Sequence, residues 1–241
     1  MRRTHRYGAD QSQVADLHTP AAGEGWPVAV VLHGGFWRER YDRTLMEPLC
    51  ADLAESGWAA WNLEYRRVGG GGGWPATFDD VAAGIDHLAA VAAPLDRARV
   101  VTIGHSAGGH LALWAASRAR PGVAVTAAVG QAAVSDLAAV ARLGLSNGAA
   151  EELLGGSPDQ VPDRYEAASP AQRLPLGVPL LLVHGARDET VPVALSRDFQ
   201  RAAAAAGDAC DLAIGEHDGH FEHLDPASGA WATVKRWLAN R

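Results

Sequence analysis

The segment VTIGHSAGGHLALWAAS, residues 101–117, leads from a run of β-branched residues into a stretch rich in Ala and Leu that is typical of a helix. At the junction, residues 104–108 read GHSAG, a G-x-S-x-G pattern. A serine at a sharp strand-to-helix turn is typical of a nucleophile elbow, in which small neighbours let the turn close. The N-terminus of the following helix favours negative charge that develops beside the serine oxygen. We therefore predict that Ser106 is a nucleophile, with an ordinary tight turn as the alternative.

The rest of the chain alternates short apolar runs with helical patterns. Several runs are apolar almost throughout and rich in β-branched residues, which is typical of parallel strands buried on both faces. The intervening segments carry helix signals: Thr77 as an N-cap before 78–93, a terminal glycine in 195–207, and Asp225 with Pro226 at the start of the last helix. We predict an α/β fold with a mostly parallel central sheet and helices on both faces. The predicted strands are 28–32, 58–63, 99–104, 123–130, 178–185 and 209–215.

Length and charge narrow the class of protein. A chain of 241 residues suits one domain, and we treat 1–241 as a single domain. The net charge is −7, and no stripe of Lys or Arg favours binding to nucleic acid or to an anionic membrane. No run approaches the roughly 18 apolar residues of a membrane span. Because MRRTHRYGADQSQ lacks the apolar region of a signal peptide and two cysteines make no disulfide framework, we expect a cytoplasmic protein.

A serine hydroxyl needs a base, and the chain offers histidines near its C-terminus. Where a serine occupies such an elbow, the acid and then the histidine follow it along the chain. This order selects the segment GEHDGHFEHLDP, residues 215–226. We predict that His220 is the base, with His217 as the alternative. A metal site built on His217, His220 and His223 is not expected, because no helical pattern aligns them and no H-E-x-x-H motif occurs.

The acid is expected after the preceding strand, in the segment LLLVHGARDETVP. Asp188 stands there, and its predicted role is to hold the histidine in the correct tautomer and to stabilise the imidazolium. Glu189 is the neighbouring carboxylate that offers the same chemistry. A loop carboxylate that caps the next helix is the structural alternative for Asp188.

The segment VLHGGFW, residues 31–37, predicts an oxyanion hole. Its glycines let the backbone approach the serine turn, so that the N–H groups of Gly35, Phe36 and Ala107 converge on one oxygen. An ordinary turn is the alternative for this segment. Four aromatic side chains are candidates for the wall of a substrate pocket, with core packing as the alternative for each. They are Phe36, Trp37, Trp74 and Phe221.

Two segments fall outside the alternating pattern. The glycine-rich segment VGGGGGWPAT, residues 68–77, is predicted to be a flexible loop before a helix. No Lys-Ser/Thr adjoins it, and a glycine run alone is weak evidence for phosphate or dinucleotide binding. Residues 134–177 mix Pro, Gly and polar residues, and we predict that they form a lid or a small helical insertion.

The motifs HGGFW and GHSAGGHLA together resemble the α/β-hydrolase superfamily. Within it they resemble the branch that holds kynurenine formamidases (arylformamidases), hormone-sensitive-lipase-like esterases and feruloyl/acetyl esterases. NLEYR, RDETVP and GHFEHLDP resemble the same branch, so the matches span residues 31–226. The chain departs from it at Phe36, where lipase-like members usually have a third glycine and formamidases often have tyrosine.

The resemblance implies an α/β-hydrolase fold in which the insertion at 134–177 follows the sixth strand. It also implies a Ser-His-Asp triad of Ser106, His220 and Asp188, with an oxyanion hole in the HGGFW turn and at Ala107. The expected reaction is hydrolysis of small carboxylic esters through an acyl-enzyme, without a metal or an organic cofactor. An arylformamidase acting on N-formylkynurenine is the alternative, and a peptidase or a non-catalytic binding protein is less favoured. A small-molecule ester or formamide is the expected partner, and a homodimer is one option for the assembly.

Overall fold

The apolar runs form the centre of one eight-stranded sheet in the computed structural model, which describes all residues from 1 to 241. The strands are β1 (Arg2–Arg6), β2 (Val14–His18), β3 (Trp26–Leu32), β4 (Ala59–Leu63), β5 (Leu95–His105), β6 (Ala127–Gln131), β7 (Leu180–Gly185) and β8 (Cys210–Gly215). Their order across the sheet is β1-β2-β4-β3-β5-β6-β7-β8. All pairs from β4 to β8 are parallel, whereas β1 and β2 run antiparallel to their neighbours.

Helices cover both faces of this sheet because its inner strands are apolar on both sides. In β3, Val28 and Val30 pack with helices on one face of the sheet, while Ala29 and Val31 pack with helices on the other face. The predicted mostly parallel sheet with helices on both faces, the α/β-hydrolase architecture, is thereby confirmed. The helices are α1 (Glu47–Glu55), α2 (Ala76–Asp86), α3 (Ala107–Ala116), α4 (Leu137–Arg142), α5 (Ala149–Leu154), α6 (Pro162–Ala168), α7 (Ala194–Ala206) and α8 (Gly229–Leu238).

The two antiparallel strands at the N-terminus were not predicted. β1 reads RRTHR and is mostly exposed at the sheet edge, so it carries no apolar pattern. β2 is buried throughout, but Asp16 interrupts its apolar run. Asp16 is tolerated in the sheet because Thr4 donates to it at 2.5 Å and Arg43 at 2.9 Å.

Two of the predicted helix starts were wrong. α2 begins at Ala76, and Thr77 lies inside it, where its hydroxyl accepts from the Gly73 N–H at 3.0 Å instead of capping the helix. α8 begins at Gly229, because the Ser228 hydroxyl accepts from the Trp231 N–H and so caps the helix three residues later than Asp225. The predicted end of α7 is confirmed, since Gly207 follows the helix with a φ of 96°.

Residues 134–177 contain α4, α5 and α6 and follow β6, the sixth strand of the chain. This segment is tied to the HGGFW turn by Arg38, which donates to Glu152 Oε2 and to Ser146 Oγ at 2.9 Å each. Its action as a lid stays a prediction.

The carboxyl ends of the parallel strands carry the predicted site residues. The HGGFW turn follows β3, Ser106 follows β5, Asp188 follows β7, and His220 lies between β8 and α8. Parallel strands end at the same edge of the sheet, which is where ligands bind in open α/β folds. None of the helices combines the length and the apolar character that crossing a bilayer requires.

Candidate active site

Ser106 lies in a strained turn between β5 and α3. Its φ of 57° and ψ of −117° are outside the regions that a residue with a side chain normally adopts. The turn closes because its neighbours lack side chains. A Cβ on Gly104 would lie 2.0 Å from the Gly108 carbonyl oxygen, and one on Gly108 would lie 2.1 Å from that of Leu32. The Ser106 N–H donates to the Gln131 carbonyl at 2.8 Å, which fixes the turn against β6.

Asp188 has a fully buried carboxylate that faces two histidines. Oδ2 accepts a hydrogen bond from His220 Nδ1 at 2.7 Å and lies 3.1 Å from His184 Nε2. Oδ1 accepts from the N–H groups of Thr190 and Val191 at 2.8 Å each. Burial disfavours the charged form, but the hydrogen bonds outweigh it and hold the pKa of Asp188 below its ordinary value. Asp188 is therefore a carboxylate at neutral pH.

His220 lies between this carboxylate and the cavity in which Ser106 sits. Because Asp188 is a hydrogen-bond acceptor, Nδ1 of His220 carries the proton and Nε2 is left as the basic nitrogen. Ser106 and His220 line the same cavity, without a hydrogen bond between the hydroxyl and the imidazole. The alternative base, His217, is exposed, and its Nδ1 lies 3.0 Å from the Arg187 guanidinium. The alternative acid, Glu189, is also exposed, whereas Asp188 contacts the His220 imidazole.

Two further histidines, His105 and His184, support this arrangement, and no sequence motif predicted a role for either. His105 Nε2 donates to the backbone carbonyl of His220 at 2.8 Å. Burial, reinforced by the nearby His220, lowers the pKa of His105 to about 3, so it stays a neutral donor. His184 contacts Asp188 through Nε2 and the hydroxyl of Ser196 through Nδ1, at 2.7 Å. The only sequence signal was their place at the ends of β5 and β7.

The HGGFW turn packs directly on the serine elbow. A Cβ on Gly34 would lie 2.9 Å from the His105 carbonyl oxygen and 3.1 Å from the Ser106 Cβ. The N–H groups of Gly35, Phe36 and Ala107 make no hydrogen bond within the protein. These three donors are the ones predicted for the oxyanion hole, and they are free to bind an oxygen.

A buried polar network holds the HGGFW turn in place. Glu64 Oε1 accepts from His33 Nε2 at 2.9 Å and from Arg67 at 2.6 Å. Burial opposes ionisation of Glu64, but these partners keep its pKa below the ordinary value. The Tyr65 hydroxyl donates to the His33 carbonyl at 2.8 Å. The motif NLEYR contains Glu64, but nothing in the motif indicates the contact with His33, which lies 31 positions earlier.

Trp37 belongs to the support of the turn and not to the cavity. Its side chain is fully buried, and its indole N–H donates to His110 Nδ1 at 3.2 Å. His110 Nε2 in turn donates to the Ala168 carbonyl at 2.9 Å, at the end of α6. Burial lowers the pKa of His110 to about 4, so the ring is neutral and bridges the turn to the insertion.

The cavity at the serine has a volume of about 240 Å³. Of the aromatic side chains predicted for its wall, Phe36 and Phe221 line it, and Phe221 is 67% exposed. Trp74 lies outside it and packs edge-on against Phe78, with ring centroids 5.1 Å apart. No group of three or more side chains in the chain is arranged to hold a metal ion. The lining residues are Gly35, Phe36, Arg40, Tyr41, Leu45, His105, Ser106, Ser146, Thr190, His220, Phe221 and Leu224.

Solved structures with the same architecture include several esterases. A truncated carbohydrate esterase from gut microbiota superposes with a TM-score of 0.87 at 20% identity, covering 100% of this chain and 95% of that one. An acetyl ester-xyloside bifunctional hydrolase from Caldicellulosiruptor lactoaceticus gives 0.82 at 23% identity, over 99% and 96%. An esterase from Thermogutta terrifontis with bound butyrate gives 0.78 at 23% identity, over 99% and 92%.

Sequence comparison gives the family. Esterase LipC from Mycobacterium tuberculosis (strain ATCC 25618 / H37Rv) is 27% identical over 217 residues, which are 82% of this chain and 54% of the relative. The chain thus spans about half the length of this curated relative. The family model BD-FAE matches residues 15–202, a region that includes the HGGFW turn, the serine elbow and Asp188. The chain belongs to the BD-FAE family.

Proposed function

We propose that this protein is a serine esterase that hydrolyses small carboxylic esters. The proposal depends above all on one observation: Ser106 sits on a strained elbow in the same cavity as an imidazole whose other nitrogen is held by a buried carboxylate. Membership of the BD-FAE family and the similarity to a relative named as an esterase support it. The cavity of about 240 Å³ favours small substrates, because the pockets that hold drug-sized ligands measure roughly 300–1,000 Å³.

In the proposed mechanism, His220 Nε2 takes the proton of the Ser106 hydroxyl as its oxygen attacks the ester carbonyl. Asp188 holds the imidazole in the tautomer that has Nε2 free, and it stabilises the imidazolium that forms. The oxyanion of the tetrahedral intermediate accepts hydrogen bonds from the N–H groups of Gly35, Phe36 and Ala107.

His220 then returns the proton to the departing alcohol, and an acyl-enzyme remains on Ser106. A water molecule, deprotonated by the same imidazole, then attacks the acyl carbon. The bond between that carbon and the Ser106 oxygen breaks, the imidazole returns its proton to the Ser106 oxygen, and the acid leaves. Each proton moves between Nε2 and an oxygen of the reaction, so the cycle regenerates the starting ionisation states.

The test is a panel of 4-nitrophenyl acetate, butyrate and octanoate, measured on the wild type and on Ser106→Ala. We expect the short esters to react fastest, and kcat to fall by about 10⁶ in the variant. Ser157→Ala, a serine outside the cavity, is the matched control and keeps wild-type kcat. A loss below tenfold in Ser106→Ala removes Ser106 from the proposed role.

Arylformamidase activity is the second candidate, and the small cavity bounded by Phe36 favours it, since a formyl group needs little space. The reaction uses the same steps with an amine as the leaving group. N-formylkynurenine is therefore added to the panel, and a kcat/KM above that of 4-nitrophenyl acetate reverses the order of the two candidates.

A further inference from the structure

One positive charge in the cavity wall has no carboxylate to balance it. Arg40 follows the HGGFW turn and lines the cavity with Ser106. None of the 12 lining residues is Asp or Glu. Of the two histidines in the wall, His105 stays neutral because burial lowers its pKa to about 3, and His220 is the proposed base. Arg40 is therefore the permanent cation of this cavity.

The environment of Arg40 differs from that of the arginines around it. Its guanidinium donates to the hydroxyl of Tyr41 and lies over the Tyr41 ring, 4.5 Å from the centroid. A cation–aromatic contact orients the guanidinium without neutralising it, and N–H donors remain for a ligand. Nearby arginines are all paired with carboxylates: Arg38 with Glu152 at 2.9 Å, Arg43 with Asp16 at 2.9 Å, Arg66 with Asp80 at 2.7 Å and Arg67 with Glu64 at 2.6 Å.

The positive charge of Arg40 is opposite in sign to the net charge of the chain. The chain carries a net charge of −7, so it repels anions in general, and a cation in the cavity is a local exception. Arg40 is exposed at the rim of the cavity, and Phe36, Leu45 and Phe221 form the apolar part of the same wall. The planar fork of arginine matches a carboxylate, to which it binds with two parallel hydrogen bonds.

We propose that Arg40 binds an anionic group of the substrate, so that the site prefers small esters that carry a carboxylate. This inference rests on the proposed esterase function and names its substrate class. The carboxylate belongs either to the acyl part or to the alcohol part of the ester, and both placements use the same contact with Arg40.

The experiment compares matched pairs of esters that differ in charge. Methyl hydrogen succinate and methyl butyrate place the carboxylate, or a methyl group, on the acyl side. 4-Acetoxybenzoate and 4-acetoxybenzamide place the carboxylate, or a neutral amide, on the leaving-group side. For each pair, the ratio of kcat/KM for the anionic ester to that for the neutral ester is measured by acid release at constant pH.

The ratio is then compared between the wild type and Arg40→Gln. Because both proteins act on the same esters, this comparison removes the difference in intrinsic reactivity between the esters. We expect the ratio to fall by about tenfold or more in at least one pair, because a charge-assisted hydrogen bond is lost. Arg40→Lys keeps the charge without the fork and gives an intermediate ratio. Arg201→Gln removes an equal charge from the exposed face of α7, outside the cavity, and keeps the wild-type ratio.

Salt gives an independent measurement on the wild type. Raising NaCl from about 0.05 M to about 0.5 M lowers the ratio of the preferred pair, because exposed charges are screened. A ratio that Arg40→Gln leaves unchanged in both pairs, while the neutral esters are cleaved, overturns the inference and leaves the esterase function intact. Absence of turnover with every ester of both pairs and of the 4-nitrophenyl panel overturns the proposed function itself.

Discussion

Two buried carboxylates in this protein each bind a histidine, and the two pairs differ in how completely they are partnered. Glu64 accepts from His33 Nε2 at 2.9 Å, and Asp188 accepts from His220 Nδ1 at 2.7 Å. The Glu64 pair lies under the HGGFW turn, and the Asp188 pair lies beside the serine elbow. The geometry of the contact is nearly the same in both, so their different roles depend on what surrounds them.

The Glu64 pair is closed on all sides. Arg67 adds a fixed positive charge at 2.6 Å, and the Arg43 N–H donates to the second carboxylate oxygen at 3.0 Å. His33 Nδ1 faces the Gly34 carbonyl at 2.8 Å, so both nitrogens of the ring face oxygen acceptors. A ring held in this way has no free nitrogen for proton transfer, and it fixes the backbone of the turn instead.

The Asp188 pair is open on one side. Asp188 has no Arg or Lys partner; its neighbours are two histidines and two backbone N–H groups. The Nε2 atom of His220 makes no hydrogen bond within the protein, and the residue lines the cavity. We infer that the pair with a free imidazole nitrogen takes part in the proposed reaction, and that the pair with both nitrogens engaged supports the turn.

Of the two pairs, the open one is expected to show the larger effect on kcat. Asp188→Asn keeps the shape of the side chain, but an amide no longer fixes the tautomer with Nε2 free or stabilises the imidazolium. We expect kcat with 4-nitrophenyl acetate to fall by about 10⁴, with little change in KM. Steady-state kinetics at neutral pH checks this, with the folded state verified by circular dichroism. A fall below tenfold would mean that Asp188 only stabilises its loop, and the two pairs would then not differ in role.

The matched change at the closed pair is Glu64→Gln. It leaves the positive charge of Arg67 buried without its counter-charge, so we expect the free energy of unfolding to fall by about 3–5 kcal/mol. Urea unfolding measures this fall, and the kcat of the folded fraction is expected to change far less than in Asp188→Asn. An unchanged unfolding curve contradicts the structural role of Glu64, and a kcat loss as large as that of Asp188→Asn contradicts the contrast with the open pair.

The pH dependence of stability is expected to follow the buried neutral histidines. Burial lowers the pKa of His110 to about 4, whereas the unfolded chain has a histidine pKa of about 6.5. Between these values the unfolded state binds a proton that the folded state does not, so stability falls as pH falls through this window. The contribution of His110 is about 2 kcal/mol between pH 7 and pH 5.

Urea unfolding of the wild type and of His110→Gln at both pH values isolates this contribution. The variant is less stable at pH 7, because it loses the ring that joins Trp37 to Ala168, but its stability changes less with pH. An equal slope in the two proteins shows that His110 is not the titrating group. Asp188 and Glu64 have lowered pKa values, so their contributions persist in this window and are lost at more acidic pH.

The sequence predicted the parts of the site that depend on local order along the chain. Ser106 and Asp188 each come shortly after an apolar run, and the ends of parallel strands meet at one edge, so the proximity of these residues follows from the fold class. The contact between Asp188 and His220, which are 32 positions apart, was predicted from the order serine, acid and histidine along the chain.

Contacts set by the detailed path of the backbone were not predictable in this way. Phe36 and Trp37 adopt φ values of 49° and 57°, which turn the two side chains to different environments: one lines the cavity and the other is buried. Strand β1 pairs with β2 without an apolar pattern of its own. No motif marks the contact of His184 with Asp188, because the histidine reads as one more buried strand residue.

The smallest effect on kcat is expected at Ser196, which reaches the open pair only through His184. His184 Nε2 faces two acceptors, Asp188 Oδ2 at 3.1 Å and the Val191 carbonyl at 2.9 Å, so its Nδ1 accepts from the Ser196 hydroxyl. Ser196→Ala leaves Nδ1 without a donor, and we expect a loss of roughly 1–3 kcal/mol in the free energy of unfolding. The kcat for 4-nitrophenyl acetate is expected to fall only a few fold, because Asp188 keeps its contact with His220.

The control is Ser196→Thr, which restores a hydroxyl and recovers part of the kcat. If kcat instead falls as far as in Asp188→Asn, the hydrogen bonds of His184 and Ser196 are required for the proposed reaction. The two residues then belong to the catalytic arrangement and not only to its support.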